Sequence, residues 1–215
     1  MRFLLDANEQ LHKTLASQYP ALVAGQLLTP LTRRTLRTES FAVDNSGFTM
    51  PQTDGLVALL ERNVGVRANC LFVVCPDVVS SARRTAEVFE RWYPKLQPWP
   101  IALAAQDGVE DLPIPWDLMA AVFIGGSTRW KESQAAGDVV KTGLLMGVHV
   151  HVGRVNTPAR FKRFDDLGAH TCDGSGVSRY SWMLEKIADA DYESRPLFDD
   201  GGASCIDVDG ETAGV

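Results

Sequence analysis

Phe41-Ala42-Val43-Asp44-Asn45-Ser46-Gly47-Phe48 passes within a few residues from an unbroken apolar run to a carboxylate, an amide and a turn-forming glycine. An apolar run without polar alternation suits a strand buried on both faces, as in a parallel sheet. The polar residues that follow then mark the strand's C-terminal end. The same transition recurs along the chain. Leu71–Cys75 leads to Pro76-Asp77, Ile101–Ala105 to Gln106-Asp107-Gly108, and Ala121–Ile124 to Gly125-Gly126-Ser127. Gly147–Val152 leads to Gly153-Arg154, and Ala169–Cys172 to Asp173-Gly174. Arg2–Leu5 and Gly25–Leu28 complete a set of eight strand candidates, the third being Phe41–Asp44. Between most of them lie segments with helical apolar spacing, such as Thr53–Arg62, Ser80–Trp92 and Arg160–Leu167.

Strand alternating with helix indicates an α/β protein, and eight such runs point to a closed (βα)8 barrel of the TIM type. A doubly wound open sheet is the competing architecture. No glycine-rich dinucleotide fingerprint follows the first strand, which removes the usual reason to prefer it. At 215 residues the chain is shorter than the roughly 250 typical of such barrels, so a compact, trimmed barrel is expected. Residues 1–188 form the expected domain, followed by an acidic, weakly ordered tail over 189–215. The net charge is −6, yet the tail holds eight acids against Arg195 alone, a balance of −7 that leaves the first 188 residues at +1. The tail is also rich in Gly and Ser and lacks periodicity.

Hydrophobic residues make up 45% and charged residues 22% of the chain, an ordinary globular composition. No apolar run approaches the roughly 20 residues of a membrane span. MRFLLDANEQ turns polar after four residues, unlike a secretory signal. A cytoplasmic location without membrane attachment is the expectation. The four cysteines form no Cys-x-x-Cys pair, so neither a zinc knuckle nor a redox pair is expected. Cys70, Cys75 and Cys172 read as buried free thiols.

In parallel barrels the C-terminal strand ends converge on one mouth. Asp44, Asp77, Asp173, Gln106 and the Gly125-Gly126 pair would therefore face one pocket. A single Asp or Gly after a strand is more often a turn former or a helix cap; three carboxylates in that position together favour a site. Arg33, Arg34 and Arg37 follow the second strand, Arg83 and Arg84 the fourth, Arg129 and Lys131 the sixth, Arg154 the seventh and Arg179 the eighth. A basic rim of this kind suits a phosphate backbone; the alternative is surface arginine serving solubility. His149 and His151 alternate on one strand and point the same way. They could ligate a metal together with Asp173 or His170, or form a hydrogen-bonded pair in the barrel wall. The second reading is preferred, because their order and position suit no known metal barrel.

Val43-Asp44-Asn45-Ser46-Gly47-Phe48 resembles the aspartate-serine-glycine-glycine stretch of the tRNA-guanine transglycosylases. Asp77, Gln106 in Ala-Gln-Asp-Gly, Gly125-Gly126, Gly153 and Cys172-Asp173 fall in the order of that superfamily's pocket residues. Phe123-Ile124-Gly125-Gly126-Ser127-Thr128-Arg129-Trp130-Lys131 and Val150-His151-Val152-Gly153-Arg154-Val155-Asn156 look like its DNA branch, the DNA 7-deazaguanine transglycosylases of phages and bacteria. The resemblance covers roughly Gly25 to Arg179.

It implies a transferase that replaces guanine in DNA by a 7-deazaguanine through a covalent aspartyl–sugar intermediate. Asp173 would be the nucleophile and Asp44 the acid and base toward the departing and incoming bases. Asp77, Gln106, Gly125, Gly126 and Gly153 would form the purine site, with Phe48 either stacking on the base or packing in the core. Arg33, Arg34, Arg129, Lys131, Arg154 and Arg179 would meet the nucleic-acid backbone. The partners implied are DNA with a flipped guanine and a free 7-deazaguanine base, with no cofactor or metal, and in some cases an accessory protein. The location would be the host cytoplasm if a phage encodes the chain.

Two departures separate the chain from the tRNA enzymes. Their zinc site of three close cysteines and a histidine is missing, since Cys205 stands alone after Asp173. Their insertions for gripping tRNA also find no room. Both lean toward DNA. The other readings are a tRNA-guanine transglycosylase of reduced size, a metal-dependent barrel hydrolase, and an inert nucleic-acid-binding subunit of transglycosylase fold.

Overall fold

The computed structural model describes residues 1–37, 39–47, 53–179 and 181–194, without the side chains of 178, 179, 181 and 190–194. Eight strands run in order: β1 (Arg2–Leu5), β2 (Val23–Leu28), β3 (Phe41–Val43), β4 (Cys70–Val74), β5 (Ile101–Ala105), β6 (Ala121–Ile124), β7 (His149–Val152) and β8 (Thr171–Cys172). Each pairs in parallel with its sequence neighbours, and β8 closes on β1 through Arg2 opposite Thr171 and Phe3 opposite Cys172. That closure is the (βα)8 barrel and excludes the open sheet. All eight expected strands are present; β1, β5 and β6 have the expected limits, and the ends of the other five shift by one or two residues.

The alternation of side chains divides the apolar residues into two cores. Leu4, Leu27, Ala42, Phe72, Val74, Ala102, Ala104 and Ala121 fill the barrel interior. Phe3, Leu5, Phe41, Val43, Val73, Leu103, Val122, Val150 and Cys172 face outward against the helices. Alanine on β3, β5 and β6 leaves room for the large rings of Phe72, His149 and His151. The Phe72 ring lies 5.5 Å from His149 and 5.0 Å from His151.

The helical layer consists of α1 (Glu9–Gln18), α2 (Thr53–Asn63), α3 (Ala82–Leu96), α4 (Thr128–Lys131), α5 (Gln134–Leu145), α6 (Pro158–Asp166), α7 (Ser175–Arg179) and α8 (Ser181–Ser194). Several starts carry their own cap. Asn8 accepts the Leu11 N–H at 3.0 Å, and Thr157 accepts that of Arg160 at 3.2 Å ahead of Pro158. Two connections account for the trimming. Between β2 and β3 no α-helix occurs among the described residues, and between β5 and β6 there are only the short 3-10 turns Val109–Asp111 and Trp116–Leu118.

The expected boundary after residue 188 falls inside α8. Residues 195–215, including Cys205, lie outside the described part. Cys70, Cys75 and Cys172 are free and buried. Among the described residues no helix is long and apolar enough to cross a membrane.

Candidate active site at the barrel mouth

A cavity of about 560 Å³ opens at the C-terminal ends of the strands, within the size range of small-ligand sites. Its lining includes Asp44, Asp77, Gln106, Gly125, Arg154 and Asp173, each following a different strand. Asp6 after β1 and Asn45 after β3 line it as well. Gly126 and Gly153 are not among the lining residues. Phe48 lies outside the described residues, as does the side chain of Arg179.

Asp173 is 9% exposed and is held from two sides. Its Oδ2 is 3.0 Å from His151 Nε2, and its Oδ1 accepts the Arg154 N–H at 2.9 Å. An ionised Asp173 would only accept, which places a proton on His151 Nε2. His151 Nδ1 lies 2.9 Å from the Thr171 hydroxyl, which is also 2.7 Å from His149 Nε2. The chain of bonds inside the barrel thus runs toward Asp173. Burial, with His151 and His170 adding to it, pushes the His149 pKa down to about 3, which keeps that ring neutral. The two histidines are therefore the hydrogen-bonded pair in the barrel wall. Among the described residues no three His, Cys, Asp or Glu side chains converge as metal ligands.

The bond on Oδ1 depends on a lysine. Lys131 was expected on the basic rim; instead it is 0% exposed, and its Nζ donates to the Gly153 carbonyl at 2.6 Å. That carbonyl and the Arg154 N–H belong to one peptide unit. Lys131 therefore fixes the unit from one side while its N–H points at Asp173 from the other. Burial, with the charge of Arg154 adding to it and that of Asp173 opposing, brings the Lys131 pKa down to about 7. The α4 turn carries this side chain inward, a direction that spacing from β6 does not reveal.

Arg154 reaches across the mouth, its guanidinium donating to the carbonyls of Gly125 (3.2 Å) and Gly126. Arg129 is exposed on α4. Arg33 and Arg34 are exposed as well and line a separate cavity outside the barrel.

Asp77 is braced by amides: Oδ1 accepts from Asn45 Nδ2 at 2.9 Å and Oδ2 from Gln106 Nε2 at 2.6 Å. Gln106 Oε1 accepts the Ser80 N–H at 2.9 Å. A methyl group on Gly125 would lie 2.7 Å from Gln106 Nε2, so glycine is required for the amide to stand there. Burial raises Asp77 above the usual carboxylate range despite these two bonds. The Asp44 carboxyl is pushed further, to about 7, by burial first and then by the charge of Asp173, with Asp77 and Asp6 adding and the Ser46 N–H opposing. Asp6 is raised by burial and by Asp173.

Among the described residues, three non-glycine residues have positive φ, Ser46, Ser80 and Arg154, all near 59°. Each follows a strand end at this mouth. Strained backbone gathers where a site dictates geometry.

Asn45 and Asp6 were not among the sequence-derived site residues. Asp6 follows Leu5 by the same apolar-to-carboxylate transition that marked the others, and that signal was available. Asn45 had no signal of its own, since its role arises from reaching across to the Cys75 carbonyl at 2.7 Å and to Asp77.

Fold and site together define a (βα)8 barrel with a carboxylate-rich pocket at the C-terminal strand ends. No family model matches the chain, and no curated protein sequence matches it. Among solved structures, it is similar to the crystal structure of 3-hexulose-6-phosphate synthase, at 9% identity over 88% of this chain and 99% of that one, with a TM-score of 0.49. It is also similar to a cube-shaped, highly porous protein cage designed by fusing symmetric oligomeric domains. There the identity is 13% over 89% of this chain and 62% of that one, with a TM-score of 0.37. The barrel assignment rests on the chain's own strand pairing.

Proposed function

We propose that the chain is an enzyme of base exchange in nucleic acid, replacing guanine in DNA by a 7-deazaguanine. The observation that carries this reading is the pairing of unlike carboxylates in one cavity. Asp173 is anchored by a hydrogen bond on each oxygen, whereas burial and its neighbours push the Asp44 pKa up to about 7. A carboxyl that holds its proton near neutrality beside one anchored by hydrogen bonds suits an acid beside a nucleophile.

In the first half, an Asp173 oxygen attacks C1′ of the target nucleotide while the bond from C1′ to N9 breaks. The electron pair leaves with guanine, and the Asp44 carboxyl supplies its proton. In the second half the incoming base loses its N9 proton to Asp44 and attacks C1′, and the aspartyl ester breaks. Bonds and protons balance without a cofactor. The lone pairs that Asn45 and Gln106 leave free on the Asp77 oxygens accept from the purine's N–H groups, and the second Gln106 N–H donates to its carbonyl. The base must leave the stack to reach this cavity, at a cost of a few kcal/mol.

The decisive experiment mixes the full chain with guanine-containing DNA and looks for a denaturation-resistant adduct. Asp173→Asn should abolish the adduct, whereas Asp44→Asn should slow its formation by roughly 100-fold or more. An adduct that persists in Asp173→Asn defeats the assignment. Repeating the assay with tRNA separates the DNA reading from that of a compact tRNA enzyme.

A further inference from the structure

On the outside of the barrel, where the β2–β3 connection carries no helix among its described residues, a second cavity of about 450 Å³ is lined by Lys13, Arg33, Arg34, Arg37 and Arg62. Only Glu9 and Glu39 oppose them in the lining, in a chain whose net charge is −6. Glu9 engages two of the cations, Lys13 at 2.8 Å and Arg34 at 2.7 Å. The guanidinium groups of Arg33, Arg37 and Arg62 meet no acceptor among the described residues.

The groove is built rather than incidental. Gln26 on β2 is 3% exposed and faces outward, toward the connection. Its amide donates to the Arg34 carbonyl and accepts the Leu36 N–H, both at 2.9 Å. Asn69 donates to the Arg37 carbonyl at 2.9 Å. Leu36 and Leu59, both buried, line the groove as well. A loop tied at three successive points presents its arginines in fixed places.

The groove is separate from the mouth, but the chain that lines the mouth runs directly into it. Thr29 and Leu31 line the reaction cavity, and Thr32 through Leu36 line the groove. The two are joined by one turn closed by the Thr32 N–H on the Thr29 carbonyl at 2.8 Å. Leu31, 70% exposed, stands between them.

We propose that this groove holds the phosphodiester backbone of the strand whose target base enters the barrel mouth. The proposal rests on the base-exchange reading for the identity of the strand, while its chemistry is that of any nucleic-acid backbone. A strand crossing Leu31 would place successive phosphates against Arg33, Arg37 and Arg62, releasing a counterion at each. Recognition here carries no base specificity; it positions the strand.

The test measures binding of a fluorescein-labelled single-stranded DNA to the full chain by anisotropy over a salt series, alongside adduct formation at Asp173. Arg37→Ala/Arg62→Ala should weaken binding by roughly 10-fold or more and lower the slope of log affinity against log salt by about 1.4. Arg91→Ala/Lys141→Ala, on α3 and α5, should change neither. Unchanged affinity and slope in the groove variant overturn the proposal, whether or not the adduct forms. If inorganic pyrophosphate at equal phosphate concentration displaces the strand, the site takes isolated anions and the proposal also falls. Groove-dependent binding without any adduct keeps the groove and removes the base-exchange reading. An RNA of the same sequence identifies which polymer the backbone belongs to.

Discussion

Lys131 illustrates how one side chain acts on another through the backbone. Its ammonium touches the Gly153 carbonyl, and the same peptide unit presents the Arg154 N–H to Asp173. A methionine of similar reach would keep the packing but leave that carbonyl without its donor. Lys131→Met should therefore slow adduct formation by about 10- to 100-fold. The dissociation constant for free guanine should change little, because the proposed reading gives those contacts to Asp77 and Gln106. Single-turnover rates beside base-binding titrations separate the two effects; equal loss in both would reduce Lys131 to general support of the fold. The residue scale is also where spacing misled. Position after β6 placed Lys131 on the rim with Arg129, but the α4 turn directs the two side chains oppositely.

At the scale of elements, the barrel depends on strands approaching closely where no side chain intervenes. A methyl group built on Gly25 of β2 would lie 1.9 Å from the Ser40 carbonyl oxygen, just before β3. Backbone cannot yield there without opening the β2–β3 pairing, which also carries Gln26 and the loop it ties. Gly25→Ala should destabilise the protein by about 2–4 kcal/mol, read from urea unfolding. Gly65→Ala, where nothing lies within 4 Å, should stay within about 0.5 kcal/mol of the parent. Equal effects of the two substitutions would show that the approach at Ser40 is soft. The eight strands themselves were legible, because an apolar run ending in Asp, Gln or Gly needs no knowledge of its neighbours. Strand limits were less so: β8 pairs over Thr171–Cys172 alone, and pairing length is set by the partner strands.

For the whole molecule, closing the barrel gathers Asp6, Asp44, Asp77 and Asp173 at one mouth, and stability must register the cost. Asp44 is held near 7 when folded, against 3.8 in the unfolded chain. Between those values the folded state keeps a proton that the unfolded state has lost. Stability from this group is therefore full below the lower value, falls as pH rises through the window, and levels off above about 7. Asp44→Asn should remove most of that fall and stabilise the protein at pH 8 by on the order of 2 kcal/mol, discounted because the carboxyl opens to the cavity. Denaturant midpoints across pH 4 to 8 check this; parallel curves for parent and variant would refute it.

The sequence alone determined the alternation of strand and helix, the number of strands, and which carboxylates and amides stand at strand ends. Each of these is written in contiguous residues: an apolar run, its length, and the residue that stops it. Closure itself, with β8 beside β1, was inferred from the count and decided by pairing between residues almost the whole chain apart. The same holds for the line of hydrogen bonds from His149 through Thr171 and His151 to Asp173, for Asn45 bracing Asp77, and for the inward path of Lys131. The groove beside the β2–β3 connection belongs with them, since α1, that connection and α2 each supply part of it. These features exist only where separate elements meet, and the distances that decide them are set by packing in three dimensions, which no local pattern of residues encodes.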